Sequence, residues 1–341
     1  MNRPLPMRFV GLAAAMLALF GALAAHLAIG VSLIPLPDIA AALFRFDPDS
    51  YDHTVLRLQR LPRALIAAYA GAAMAVAGVV LQGLTRNPLA APATLGINAG
   101  AALAVVLGSQ LFGLGLWAQG LAAFAGGAAG FWLSFGVARL TGLSRDPRGL
   151  ALILSGALVS MLLVGVTNAV LLADPQRRSD LLGWIAGNIN HVYADRLYAF
   201  WWAGAFAFLL LMVLARPLTL IQLGHDKAAS AGVRVALVTR AALGAVALAA
   251  ASAVAICGPV GFVGLVVPHI ARPLVGASMR MLLPVCALMG ATLCLLADLG
   301  ARTLFLPYIL HTGIVLDLLG GVVFAVIVKR VYLRPGAERP V

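Results

Sequence analysis

The sequence predicts an all-α, polytopic membrane protein with about ten transmembrane helices. Three observations carry this reading. Of the 341 residues, 62% are hydrophobic and only 11% are charged, with a mean hydropathy of +1.00. A soluble domain could not cover its surface with so few charges. The apolar runs are continuous and not alternating, which disfavours a β-barrel, and several reach the roughly 20 residues a helix needs to cross a bilayer.

The spans follow in order. Phe9 to Ile29 is the first, interrupted only by His26, and Ala64 to Leu84 is the second. No charged residue lies between Arg86 and Arg139, a stretch that holds two spans turning near "GSQLFGLGLW". Gly149 to Ala173 is the fifth and Leu197 to Ala215 the sixth. Arg240 to Arg272 is too long for one span and short for two. Gly258, Pro259, Gly261 and Gly264 divide it into a full helix and a short eighth one. Met281 to about Ala301 is the ninth and Thr312 to Val328 the tenth. The first segment also fits a cleaved signal peptide, with Arg3 and Arg8 ahead of it; its long apolar run favours a retained helix.

Charge orients the chain. With the N-terminus inside, sixteen of the 24 Lys and Arg residues fall in inner segments. The positive-inside rule then places both termini on the cytoplasmic side. The net charge of +12 comes from arginines at the ends of apolar runs. No basic cluster is interleaved with aromatics, so nucleic acid is not an expected partner. Cys257, Cys286 and Cys294 sit in apolar runs without metal-ligand spacing and read as small hydrophobes. Residues 31–62, with Asp38, Asp47, Asp49, Asp52 and several prolines, read as an outer, solvated loop with room for a short helix. The whole chain, 1–341, reads as one transmembrane domain.

The chain breaks its apolar pattern at "TRNPLAAPATLGINAGAALA", Thr85 to Ala104. Proline suits a first helical turn and not an interior, so Pro88 and Pro92 should end the second helix and start the third. Gly71, Gly78, Gly96 and Gly100 read as close-packing positions. A polar group inside a span is costly unless it meets a partner or water. Ser155, Ser160, Thr167 and Asn168 in the fifth span, and Asp317 in the tenth, therefore either line a pathway or bond locally. Asp317 and His311 could also pair with each other. Asp298 and Arg302 stand four apart with the acid first, the favourable helical order for an ion pair. His269 follows Pro268 and reads as a structural hydrogen-bonding group in preference to a ligand.

Four stretches carry a family resemblance: "RLPRALIAAYAGAAMAVAGVVLQGLTRNPLAAPATLGINAGAALA", "LGHDKAASAGV", "CGPVGFVGLVVPHIAR" and "LLPVCALMGATLCLLADLGAR". Together with the ten-span count they resemble the FecCD-type permeases, the membrane subunits of binding-protein-dependent ABC importers for iron-siderophores, haem and cobalamin. The resemblance implies a type II ABC importer permease fold, multi-pass in a bacterial inner membrane. It implies no bound cofactor in this chain, with ATP and Mg²⁺ on a partner ATPase. It also implies a second permease copy, as a homodimer or with a sister permease, two ATP-binding subunits and a periplasmic substrate-binding protein. Asn87 and Leu89 become gate residues at the inner mouth, and Ser160, Thr167, Asn168 and Asp317 become pathway residues. The inner segment 217–234 holds the coupling helix, with Leu223, Gly224, Asp226, Ala228, Ala229 and Gly232 meeting the ATPase. Arg60, Arg63 and Arg302 would receive acidic side chains of the binding protein.

No G-x-x-x-x-G-K-[ST] phosphate loop is present, so ATP hydrolysis needs another chain and no catalytic residue is expected here. The expected function is import of an iron-siderophore by alternating access, with haem and cobalamin as further cargoes. Two rivals remain at this level: a proton-coupled secondary transporter using Asp317 or Asp298 as carrier, and a passive channel.

Overall fold

A computed structural model describes residues 5–30, 32–140, 150–173, 181–304, 308 and 310–331. Among them no strand occurs. Among the described residues seven helices are long and apolar enough to cross a membrane, and three shorter apolar ones bring the count to the ten expected.

Helix α1 is Leu5–Ala28. Residues 32–62 are more ordered than a loop. They hold α2, Leu36–Phe44, with proline in its first turn. They also hold α3, Tyr51–Val55, where the Ser50 hydroxyl accepts from the His53 backbone N–H. A π-helical turn, Leu56–Arg60, joins α3 to α4, Leu61–Thr85, without a break. Pro37 and Pro62 sit at first-turn positions, where their missing N–H removes no helical bond, while Pro35 is the N-cap of α2 and Pro48 lies in the turn before α3.

Helix α4 ends where Arg86 turns left-handed at φ 48°. A short 3-10 turn, Pro92–Leu95, precedes α5, Ile97–Phe112. Pro92 thus starts the 3-10 turn, and α5 itself begins beyond Gly96, at φ 80°. Helices α6, Leu116–Leu140, and α7, Leu150–Ala173, follow, then α8, Ala194–Val213. Two short helices come next: α9, Ala215–Gln222, and α10, His225–Ser230. Helix α11 is Val235–Cys257, α12 is Val263–Val275, α13 is Met279–Thr303 and α14 is Thr312–Val331. With 13 residues, α12 rises only about 20 Å, less than the roughly 30 Å hydrocarbon core. Residues 258–262 ahead of it are irregular backbone at membrane depth. Such backbone is tolerated where it is buried in protein or lines a cavity.

Helix α4 is the hub. It packs against α13, α11 and α12, and the last two-thirds of its length is almost wholly buried. Its neighbours come close because glycine meets glycine. A Cβ on Gly71 would run into the Gly290 carbonyl of α13, and one on Gly78 would run into the Gly264 carbonyl of α12. Lipid offers no hydrophobic force between helices, so this backbone-to-backbone contact supplies much of the association. By contrast α7 leaves Leu154, Leu158, Met161, Leu162 and Leu172 exposed along one face.

Replacing Gly78 by Val should destabilise the detergent-solubilised protein by about 2 kcal/mol or more, because backbone cannot make room for the side chain. Gly136, which has open space around it, should accept Val with little change in thermal midpoint. Equal midpoints for the two variants would contradict the packing account.

Candidate functional site: two ends of a permease and the cavity between them

Arg63 and Arg86 lie near opposite ends of α4, about 35 Å apart at the helical rise. This places two clusters at the two faces of a bilayer.

At the first end a fully buried carboxylate gathers four helices. Asp298 of α13 accepts from Arg63 of α4 through Nε at 2.8 Å and a second guanidinium nitrogen at 2.9 Å. Thr312 of α14 donates to it at 2.6 Å. His26 of α1, itself fully buried, stands 2.9 Å away. The Arg302 Nε lies 3.5 Å from the same carboxylate, while its terminal nitrogen donates to the His26 carbonyl at 3.3 Å. The anticipated Asp298–Arg302 pair is therefore the secondary partner; the bidentate one is Arg63. An isolated carboxylate in this position would be very costly. Two guanidiniums and the surrounding donors are what make it tenable.

The docking residues need correction on this point. Arg60 is only 5% exposed. Its guanidinium donates to the carbonyls of Leu27, Ala28 and Ser32 at 2.6–2.8 Å. It closes the C-terminal end of α1, where unpaired carbonyls accumulate, and is not presented to a partner. Arg63 and Arg302 keep 12% of their side-chain surface exposed and are engaged by Asp298. Arg57, which stacks over the Phe46 ring at 4.6 Å, is exposed.

At the other end lie the Asn87 turn and α10. The Asn87 side-chain oxygen accepts from the Leu89 N–H at 2.9 Å, and the Thr85 hydroxyl accepts from the Asn87 N–H at 3.3 Å. Asn87 thus shapes the turn, and Leu89 is partly exposed. Arg86 donates to the Ile221 carbonyl at 3.4 Å, tying this turn to α9. Beyond Gly224, at φ 136°, the expected short helix is present as His225–Ser230, with Asp226 in its first turn. Leu223, Asp226, Ala229 and Gly232 face outward and Gly224 is partly exposed. Ala228 is the exception. It is fully buried and packs the helix onto the bundle, so it cannot meet a partner.

Between the two ends, a cavity of about 330 Å³ is walled by the 3-10 turn, α5, the irregular segment 258–262 and α14. Asp317 reaches it, together with Thr94 and Asn98. The other polar residues of the sequence reading do not line it. The Thr167 hydroxyl donates back to its own helix at the Leu163 carbonyl, 2.7 Å away. Ser160 has a buried hydroxyl without a hydrogen-bond partner, and Asn168 is exposed on α7. Asp317 and His311 do not pair: the carboxylate lies against Gly261, the imidazole against Gly183. Nδ1 of His269 is 2.8 Å from the Leu265 carbonyl, the structural role expected. Sequence reading missed Thr94, Asn98 and the His26–Asp298 contact. The one signal for the last was a histidine breaking an otherwise apolar span.

A family model described as the FecCD transport family matches residues 11–330. The chain belongs to this family. The ferric enterobactin transport system permease protein FepD of Escherichia coli (strain K12) is 37% identical, over 95% of this chain and 96% of that one. The iron(3+)-hydroxamate import system permease protein FhuB of Bacillus subtilis (strain 168) is 32% identical, over 89% and 79%. The Fe(3+) dicitrate transport system permease protein FecC of E. coli is 36% identical, over 86% and 88%. A solved structure described as an inward-facing conformation of a metal-chelate type ABC transporter superposes with a TM-score of 0.80 at 30% identity, covering 94% of this chain and 99% of that one. The relatives are permease subunits, and ATP hydrolysis falls to a separate ATPase.

Removing the Asp298 carboxylate as Asp298→Ala leaves Arg63, Arg302 and His26 around an empty centre. Breaking a buried pair in this way costs roughly 3–5 kcal/mol, so the thermal midpoint in detergent should drop by well over that of Asp226→Ala on the exposed helix. Similar small shifts in both would show that the carboxylate does not hold the four helices.

Proposed function

We propose that the chain is the transmembrane permease of an ATP-driven importer that moves an iron-siderophore type of chelate from periplasm to cytoplasm by alternating access. Two copies would pair with two ATPases and receive cargo from a periplasmic binding protein. The observation that carries the reading is the conjunction of the FecCD family match over residues 11–330 with an exposed short helix, His225–Ser230, at the end of the bundle opposite Asp298. Hydroxamate, enterobactin and dicitrate chelates of iron are the cargoes of the relatives, which supports an iron chelate; none of these names haem or a corrinoid.

The end bearing α10 is the cytoplasmic one, following the distribution of Lys and Arg. There the exposed Leu223, Asp226, Ala229 and Gly232 enter a cleft of the ATPase, and Ala228 anchors the helix from behind. Asp226 in the first turn suits the helix dipole. Leu89, partly exposed and fixed by the Asn87 side chain, closes the inner mouth. Asn168 on α7 faces the second copy. Acidic groups of the binding protein reach Arg63 and Arg302 at the outer end, where they compete with Asp298; Arg60 contributes by holding the end of α1. Closed two-fold pairing is the commonest symmetry for such a subunit. The proton-coupled alternative loses support because Asp298, its best-buried carrier, is held by two guanidiniums.

Ala229→Trp with Gly232→Trp should leave insertion and copurification of the ATPase intact. Cargo uptake by the reconstituted complex should fall at least about tenfold while ATP hydrolysis continues, since the bulky groups prevent close approach and weaken coupling by more than about 1.4 kcal/mol. Full uptake by this variant would remove α10 from the coupling role.

A further inference from the structure

The cavity that Asp317 reaches has a one-sided chemistry. Three polar side chains line it, and each carries an oxygen that accepts from no protein donor among the described residues. The Thr94 hydroxyl spends its proton on the Ala91 carbonyl at 2.7 Å, leaving oxygen lone pairs. The Asn98 amide directs its N–H group at the Val260 carbonyl, 3.5 Å away. That carbonyl can only accept, which fixes the amide's orientation. The Asn98 Oδ1 is buried and has no hydrogen-bond partner. Asp317 is acceptor-only as a carboxylate, and among the described residues nothing pairs with it. No Lys, Arg or His lines the cavity.

The position of Asp317 is specific. Its carboxylate lies directly over Gly261, where a Cβ would strike it. Gly261 belongs to the irregular segment that ends at Phe262, the N-cap of α12. The helix terminus there carries about half a positive charge, which offsets part of the carboxylate's field and leaves the balance negative. Field lines between low-dielectric walls are focused rather than screened.

We propose that this cavity is a donor-selecting stretch of the cargo path. It passes ferric chelates that are neutral or cationic and carry amide N–H or hydroxyl groups on the scaffold around the metal, as peptide-borne tris-hydroxamates do, and it disfavours anionic carboxylate or catecholate chelates. In a symmetric pair the two Asp317 carboxylates act together. The inference rests on the reading of the chain as an iron-chelate permease.

Two measurements test it. In the first, Ile314 on the cavity wall becomes cysteine in the complete importer, with Cys257, Cys286 and Cys294 replaced by Ala, in lipid nanodiscs. A small cationic thiosulfonate should modify it about tenfold faster than an anionic one, and the ratio should approach unity with Asp317→Asn. Equal rates with Asp317 intact overturn the proposal. In the second, iron-limited cells carry the importer and its binding protein and receive either a neutral ferric tris-hydroxamate or an anionic ferric tris-catecholate. The binding protein is the same in every strain, so any shift in the uptake ratio belongs to the permease. Asp317→Lys should raise anionic relative to neutral uptake by about fivefold or more. An unchanged ratio overturns the donor selection and leaves the permease reading standing. Uptake of neither of these chelates nor of ferric dicitrate by the unaltered importer overturns the iron-chelate reading itself.

Discussion

The pairing of α4 with α13 is the contact on which the rest of the bundle depends. It is fixed at two heights by two kinds of physics. At Gly71 and Gly290 the backbones touch, so the distance between the helices is set by the absence of side chains. Nearer the end, the Arg63 fork grips the Asp298 carboxylate, so rotation and register are set by a bidentate ion pair. Dispersion alone would allow the helices to slide; a lone ion pair would allow them to splay. With both in place, α1 and α14 are located as well, because His26 and Thr312 converge on the same carboxylate.

That arrangement divides the molecule by function. The Asp298 end is tied tightly, and Arg60 completes it by satisfying three carbonyls around the end of α1. The opposite end is more open: the Asn87 turn is held by local hydrogen bonds, and α10 projects an exposed face from a single buried alanine, Ala228. Between them stands a short helix, α12, preceded by irregular backbone. The proposed alternating access would need elements with two arrangements available, and α12, short and entered through the left-handed Phe262, is a candidate for one. Its C-terminal side still touches α1 and α13, so movement of α12 would be felt by the helices that Asp298 gathers.

Much of this was legible in the sequence, and the limits follow from physics. Span number was readable because bilayer thickness sets helix length and composition marks it. The short helix at His225–Ser230 was readable only through the family resemblance, in which Asp226, Ala228, Ala229 and Gly232 loosely match an acid-Ala-Ala-x-x-x-Gly pattern. Long-range pairing was not. Asp298 and Arg302 are visible as an i, i+4 pair. The stronger partner, Arg63, is 235 positions away and His26 is 272 away, and only the packing of α1 and α4 against α13 brings them together. Arg60 misled for a related reason. Arginines three apart at a helix start look like a receptive surface, but the π-helical turn and the end of α1 fold one of them inward. The face of α10 was likewise undetermined: Ala228 and Ala229 are chemically the same, and only the fold buries one and exposes the other.

The account holds that the energy for transport comes from a partner ATPase acting on α10 and not from protons on a buried carboxylate. Uptake of ferric chelate into proteoliposomes containing the complete importer, with the loaded binding protein outside, tests this most directly. The account predicts accumulation when the lumen holds hydrolysable ATP, none with a non-hydrolysable analogue, and none when a proton gradient is imposed without nucleotide. Accumulation driven by the gradient alone would contradict it.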